Sequence, residues 1–241
     1  MGFFDFMTED IAIDLGTANT LIIHKGKVVV DSPSIVAMDR TTNKIIAIGK
    51  RANLMQGKTH ENIKTIRPLK DGVIADFEAS EAMIREFIKN IPTIKKRFFR
   101  PSLRMVICIP SGITEVEKRA VRDSAEQMNA KDIYLIYEPM AAAIGIGIDI
   151  MMPKGNMIID IGGGTTEIAV IALSGIVCDK SVKVAGDVFT SDIAMYLRTQ
   201  HNLYIGETTA EKIKIQIGAA TEDLDTPPDD ISIQGLSLIH I

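Results

Sequence analysis

Ile11-Ala12-Ile13-Asp14-Leu15-Gly16-Thr17-Ala18-Asn19-Thr20-Leu21-Ile22 decides the fold, because it recurs. Ile158-Ile159-Asp160-Ile161-Gly162-Gly163-Gly164-Thr165-Thr166-Glu167-Ile168-Ala169 repeats its plan. Each copy is an apolar strand, an Asp-x-Gly turn of small residues and an apolar return strand. Glycine and alanine in such a turn let backbone N–H groups reach phosphate oxygens with no side chain in the way. Threonine and asparagine add neutral donors. An aspartate at the strand end can face the hydrated magnesium that accompanies phosphates. One glycine-rich turn is a weak signal, since most only reverse the chain. Two copies in equivalent strand contexts predict duplicated halves that hold one nucleotide from opposite sides.

Outward from the two turns, residues 28–30, 45–49, 105–109, 133–137 and 176–184 read as further short strands. Ser80 is placed to cap a helix whose apolar face is Met83, Ile84, Phe87, Ile88 and Ile91. Thr114-Glu115-Val116-Glu117 is a capping box that opens a helix running to about Asn129. Glu138 opens an alanine-rich segment predicted to be helical at first. Two more helices are predicted near 187–200 and 208–219, and Ile231-Ser232-Ile233 reads as a strand. Strands and helices interleaved in this way predict an α/β protein.

The chain has 241 residues, 46% hydrophobic and 24% charged, with a net charge of −4 and no strongly basic block. Nucleic acid is therefore not an expected partner. No segment reaches the roughly 18 apolar residues of a membrane span. Asp5, Glu9 and Asp10 stand where a signal peptide would be basic. Phe6 stands where N-myristoylation needs a hydroxyl residue. Cys108 and Cys178 each sit in an apolar run and read as buried free thiols. Gln56-Gly57-Lys58-Thr59 imitates the end of a P-loop, but Ala52 occupies its first glycine position and no strand precedes it.

Residues 14–20, Glu138-Pro139-Met140-Ala141-Ala142-Ala143 and residues 160–167 resemble the phosphate-1, connect-1 and phosphate-2 motifs of the actin, heat-shock chaperone and sugar-kinase superfamily. Residues 13–20, Lys70-Asp71-Gly72-Val73-Ile74-Ala75-Asp76 and Ile109-Pro110-Ser111-Gly112-Ile113-Thr114 resemble the rod-shape-determining actin homologues of bacteria, the MreB type. The resemblance runs from about residue 10 to residue 235. It implies an actin-like ATPase fold of the α/β class. That fold has two ribonuclease-H-like lobes, each with a mixed five-stranded sheet and flanking helices, the second lobe here being incomplete. The implied division is subdomain IA at 1–32 and 77–143, IB at 33–76, the first part of IIA at 144–181, IIB at 182–235 and an atypical tail at 236–241.

What the resemblance implies functionally is ATP hydrolysis coupled to assembly with copies of itself into paired protofilaments. These would lie at the inner face of the cytoplasmic membrane and act with cell-wall elongation membrane proteins to maintain a rod shape. ATP and Mg2+ are the implied ligands. Gly16, Thr17, Ala18, Asn19 and the backbone of Gly162, Gly163 and Gly164 would meet the phosphates. Asp14 and Asp160 would face Mg2+, mainly through water. Glu138 would orient the attacking water, assisted by Thr165 or Thr166. Glu211 and Lys214, three apart on one helix face, would meet ribose and base. Plainer readings stand beside two of these. Glu138 is also a first-turn acid favoured by a helix dipole, and Thr208-Thr209-Ala210-Glu211 is itself a capping box.

Phe3, Phe4 and Phe6 precede the first strand, and Phe98 and Phe99 lie among Lys95, Lys96, Arg97 and Arg100. Aromatics beside cations suit a lipid interface, as the resemblance also implies. A packed terminus and core-facing rings are the alternatives. The stub is short and flanked by acids, so membrane binding would need avidity along a filament. A small-molecule kinase of the same superfamily would need a further acidic base, and a chaperone would need a peptide-binding domain; neither is recognisable. The family's later adenosine loop and final helix are absent from these residues. The polypeptide by itself is therefore expected to bind ATP weakly and to be marginally stable.

Overall fold

The computed structural model describes residues 8–95 and 101–237. The first elements are β1 (Thr8–Leu15), β2 (Asn19–His24), β3 (Lys27–Pro33), β4 (Val36–Asp39), β5 (Ile45–Ile48), α1 (Lys50–Met55), β6 (Ile63–Ile66), β7 (Leu69–Lys70), β8 (Val73–Ile74), α2 (Phe77–Lys89) and α3 (Pro92–Lys95). Then come β9 (Ser102–Ile109), α4 (Glu115–Gln127), β10 (Ala130–Tyr137), α5 (Glu138–Gly145), β11 (Asn156–Ile161), β12 (Thr166–Ala172), β13 (Gly175–Val182), α6 (Gly186–His201), β14 (Leu203–Tyr204), α7 (Glu207–Ile217) and β15 (Leu236–Ser237). The chain divides into two compact units, one ending at Lys183 and one starting at Val184.

The first unit is built on a five-stranded mixed sheet, β10-β9-β1-β2-β3. β1 runs parallel to β9, β9 parallel to β10, and the β1–β2–β3 meander is antiparallel. Period-2 alternation assigns the faces. Ile11, Ile13 and Leu15 of β1 and Leu103, Met105, Ile107 and Ile109 of β9 enter one core with Met83, Ile84, Phe87 and Ile88 of α2. Asp14 has the opposite parity and so points away from that core. A second sheet, β11-β12-β13, is antiparallel, and α5 packs Ala143 against its Ile158, Ala169 and Ile171. A smaller sheet, β5-β4-β6, gathers Ile35, Ala37 and Ala47 around Ala52 of α1.

The internal repeat appears as two antiparallel hairpins. In the first, Asp14 pairs with Leu21 and Leu15 with Thr20; in the second, Asp160 pairs with Glu167 and Ile161 with Thr166. β7 and β8 form a third, short hairpin closed by Asp71-Gly72, both at positive φ (52° and 79°). That is the Asp-Gly signature of a tight turn whose twist matches its strands. The second unit contains α6, α7 and the β14–β15 pair, with Leu203 opposite Ser237 and Tyr204 opposite Leu236.

Four sequence expectations are corrected. The helix assigned to Ser80 starts earlier: Asp76 caps it, accepting from the Ala79 N–H at 3.0 Å. Ser80 is instead buried in its second turn, with no hydrogen-bond partner for its hydroxyl. The box at Thr208 does not form, because α7 begins at Glu207 behind Gly206 and has no side-chain cap. Residues 231–233 are irregular, and the short strand falls at Leu236–Ser237, where Leu203–Tyr204 offers an edge. Cys178 is exposed, because the middle of β13, residues 177–180, is exposed on both faces, whereas Cys108 is half-buried. The box at Thr114 does form, with reciprocal bonds between Thr114 and Glu117.

Candidate functional site

Both glycine turns open onto one cavity of about 290 Å3 in the first unit. Asp14, Gly16, Thr17, Glu138, Asp160, Gly162, Gly163, Gly164 and Thr165 all line it, with Gly72, Cys108 and the first turns of α5. The turns come within contact of each other. A Cβ built on Gly163 would lie 2.8 Å from the Ala18 Cβ and 3.1 Å from its backbone nitrogen. One built on Gly164 would lie 2.8 Å from the Thr17 Oγ1 and 3.0 Å from the Asp71 nitrogen. These are backbone-width gaps that only glycine leaves open. Ala18 packs on Gly163 rather than lining the cavity, Asn19 is exposed, and Thr166 is engaged in the β12 ladder beside it. Of the two threonines, Thr165 is the one at the wall, 7% exposed.

Supporting residues hold the turns in place. Ser34, 1% exposed, donates to the Gly16 carbonyl at 2.7 Å, and its backbone N–H reaches the Ala18 carbonyl at 2.9 Å. Its hydroxyl also meets that of the fully buried Thr20 at 2.9 Å. The Gly162 N–H closes the second turn on the Thr165 carbonyl at 2.9 Å. The tip of the β7–β8 hairpin enters between the turns, its Gly72 N–H donating to Thr17 Oγ1 at 3.2 Å. Sequence reasoning missed Ser34 and Cys108 as parts of this site, and gave Thr20 and Gly72, both inside quoted motifs, no role of their own. Asp71-Gly72 carried a local signal, the tight-turn dipeptide between Leu69-Lys70 and Val73-Ile74.

The cavity is acidic. No lysine or arginine is among the described residues that line it. Burial, then the charge of Asp160, raises the Asp14 carboxyl above its ordinary range. Burial and the charge of Glu167 raise Asp160. Burial, followed by the charges of Asp14, Glu167 and Asp160, pushes Glu138 up to about 8. Burial, followed by the charges of Asp14, Glu138 and Asp160, pushes the Cys108 thiol up to about 12, so it is not a nucleophile at neutral pH. Carboxylates crowded beside backbone cradles for anions fit a ligand that brings both phosphate and a divalent cation. No group of three metal-ligating side chains is close enough among the described residues to hold an ion alone. The donor set therefore fits Mg2+ held through water and phosphate oxygens.

Glu211 and Lys214 lie on α7 in the second unit and join one polar cluster there. Lys214 bonds to Glu211 at 2.7 Å, to the Gly186 carbonyl at 2.9 Å and to Thr190 at 3.1 Å, and Thr190 also bonds to Glu211. Phe3, Phe4, Phe6, Phe98 and Phe99 lie outside the described residues. No described helix is long and apolar enough to cross a membrane.

Two glycine turns facing across an acidic cleft, each on its own sheet, define the class: an actin-like α/β fold. The double helical filament protein MamK has the same fold, with a TM-score of 0.70 at 20% identity over 87% of this chain and 65% of that one. MreB5 of Spiroplasma citri bound to AMPPNP superposes with a TM-score of 0.89 at 39% identity, over 96% of this chain and 68% of that one. The family model for MreB/Mbl protein matches residues 8–240. The cell shape-determining protein Mbl of Bacillus subtilis is 50% identical over 96% of this chain and 68% of its own length. The cell shape-determining protein MreB of Escherichia coli is 49% identical over 88% of this chain and 62% of its own length. The chain thus spans about two thirds of these relatives, and it belongs to the MreB/Mbl family.

Proposed function

We propose that this chain is an ATP-binding, ATP-hydrolysing cell-shape protein whose two glycine turns hold the nucleotide's phosphates. The observation that carries the reading is the pair of turns meeting at Gly163 and Ala18 over a cavity walled by Asp14, Glu138 and Asp160. Backbone N–H groups of both turns and the Thr17 hydroxyl supply neutral donors to phosphate oxygens. Mg2+ faced by Asp14 and Asp160 would offset the charge that the phosphates bring. Glu138, at the mouth of α5, orients water toward the terminal phosphate, with Thr165 as the hydroxyl at hand. Glu138 must be ionised to accept from that water, and a divalent cation held in the cleft would favour its ionised form. Phosphoryl transfer needs little more from the protein than such positioning and charge balance. Glu211 and Lys214 of the second unit are the residues that the family resemblance assigns to ribose and base. The Spiroplasma relative bound to AMPPNP, and a second structure of the same protein bound to ADP, support nucleotide binding.

Beyond hydrolysis, the reading includes self-assembly into paired protofilaments on the inner face of the cytoplasmic membrane, with cell-wall elongation proteins as partners. Subdomains IA, IB, IIA and IIB follow the boundaries given above. Family membership and the cell-shape relatives support it. Phosphate release and light scattering after addition of ATP and Mg2+ test it together. Concentration-dependent scattering that follows hydrolysis is expected. A protein that releases no phosphate, or stays monodisperse at every concentration, overturns it.

A further inference from the structure

Glu167 ends the second glycine-turn motif, yet it does not line the cavity, and the reading above gives it no role. Its side chain is nonetheless tightly held. The residue is 1% exposed. Oε2 accepts from the Ser111 N–H at 3.0 Å and from the Ser111 hydroxyl, and Oε1 accepts from the Ser181 hydroxyl at 2.5 Å. These partners come from both sheets. Ser181 is the cross-strand neighbour of Glu167 on β13. Ser111 belongs to the loop that leaves β9, a strand of the five-stranded sheet.

The surroundings show what this tie fixes. A Cβ on Gly112 would stand 3.3 Å from the Ser181 Cβ, so the loop lies directly on β13. Pro110 and Thr165 both lie beside Gly72, 3.0 Å and 3.2 Å from a Cβ built there. Ile109 and Tyr137 are register partners on parallel neighbours, so residues 110–112 and Glu138 leave the sheet side by side. Thr165 is two residues before Glu167. The carboxylate thus joins the loop next to Glu138 to the strand that begins next to Thr165.

We propose that Glu167 is a positioning residue, a latch that through Ser111 and Ser181 sets the separation of the two sheets and with it the approach of Glu138 to Thr165. Its kinetic consequence rests on the proposed ATPase reading; the latch itself does not. Hydroxyl and amide donors to a carboxylate make charge-assisted bonds. Unlike a buried arginine partner, hydroxyls leave no charge stranded when the gap opens and water takes their place.

Ser111→Ala, Ser181→Ala, their double variant and Glu167→Asp test this against the parent chain. Two readouts are needed: kcat and KM for ATP, and the distance between spin labels on native Cys178 of β13 and on Val28→Cys of β3, in a Cys108→Ser background. The double variant and Glu167→Asp should broaden the label distances without nucleotide. They should lower kcat by about tenfold or more while KM stays within about threefold, because geometry rather than grip is lost. Ser181→Thr, which keeps the hydroxyl, should restore both. Unchanged distances with unchanged kcat, or kcat and melting temperature falling together at unchanged distances, would make Glu167 only a satisfied buried group. Should Glu167→Asp fail to fold, the serine variants, which each remove a single oxygen, still decide. If the parent releases no phosphate, the ATPase reading fails while the label distances judge the latch separately.

Discussion

Glu138 shows how the site weighs competing effects. It opens α5, and a helix N-terminus favours an ionised acid there by about 0.3–1 kcal/mol. Its carboxyl nevertheless lies at about 8 rather than 4.5. Burial and the three neighbouring acids therefore outweigh the dipole at this first-turn acid. The native state keeps a proton that the unfolded chain releases above its ordinary range, so stability falls as pH rises from about 5 to about 8. Asp14 and Asp160, also raised, push in the same direction. Without nucleotide, the melting temperature should drop across that window, and less steeply in Glu138→Gln. Calorimetry checks this, and an equal slope in the variant would remove Glu138 as its source. In turnover, Glu138→Gln should lose about 100-fold or more in kcat with little change in nucleotide affinity.

At the scale of the element, the two hairpins were legible because their chemistry is local. Strand, Asp-x-Gly and return strand are contiguous in sequence, and the repeat shows itself by self-comparison. The α4 cap was legible for the same reason. Ser34 was not, because its bond to the first turn brings an ordinary Ser-Pro-Ser stretch onto Gly16 from 18 residues away. The Ser80 misassignment has a physical cause too: Asp76 offers the same capping chemistry one turn earlier, and Ala79 and Ser80 are small enough to be buried in the core behind it. Local chemistry also sets the expected costs. Thr114→Ala removes a cap whose residues do not line the cavity and should cost about 1 kcal/mol of stability, as denaturant melts would show. Gly72→Ala places a Cβ 3.0 Å from Pro110 at a φ of 79° and should be destabilising by more than about 1 kcal/mol.

At the scale of the molecule, two sheets, two turns and one acidic cavity form the proposed phosphate clamp. Its closure depends on a gap between Gly163 and Ala18 that a side chain would fill. Acids without a cationic wall make the clamp depend on the metal that arrives with the nucleotide. The most direct test is calorimetric titration of AMPPNP, with and without Mg2+, into the parent chain and into Gly163→Val. The parent should bind only when Mg2+ is present, and Gly163→Val, still melting cooperatively, should lose at least about tenfold in affinity. Equal affinity in the folded variant, or binding by the parent that is indifferent to Mg2+, would contradict the clamp.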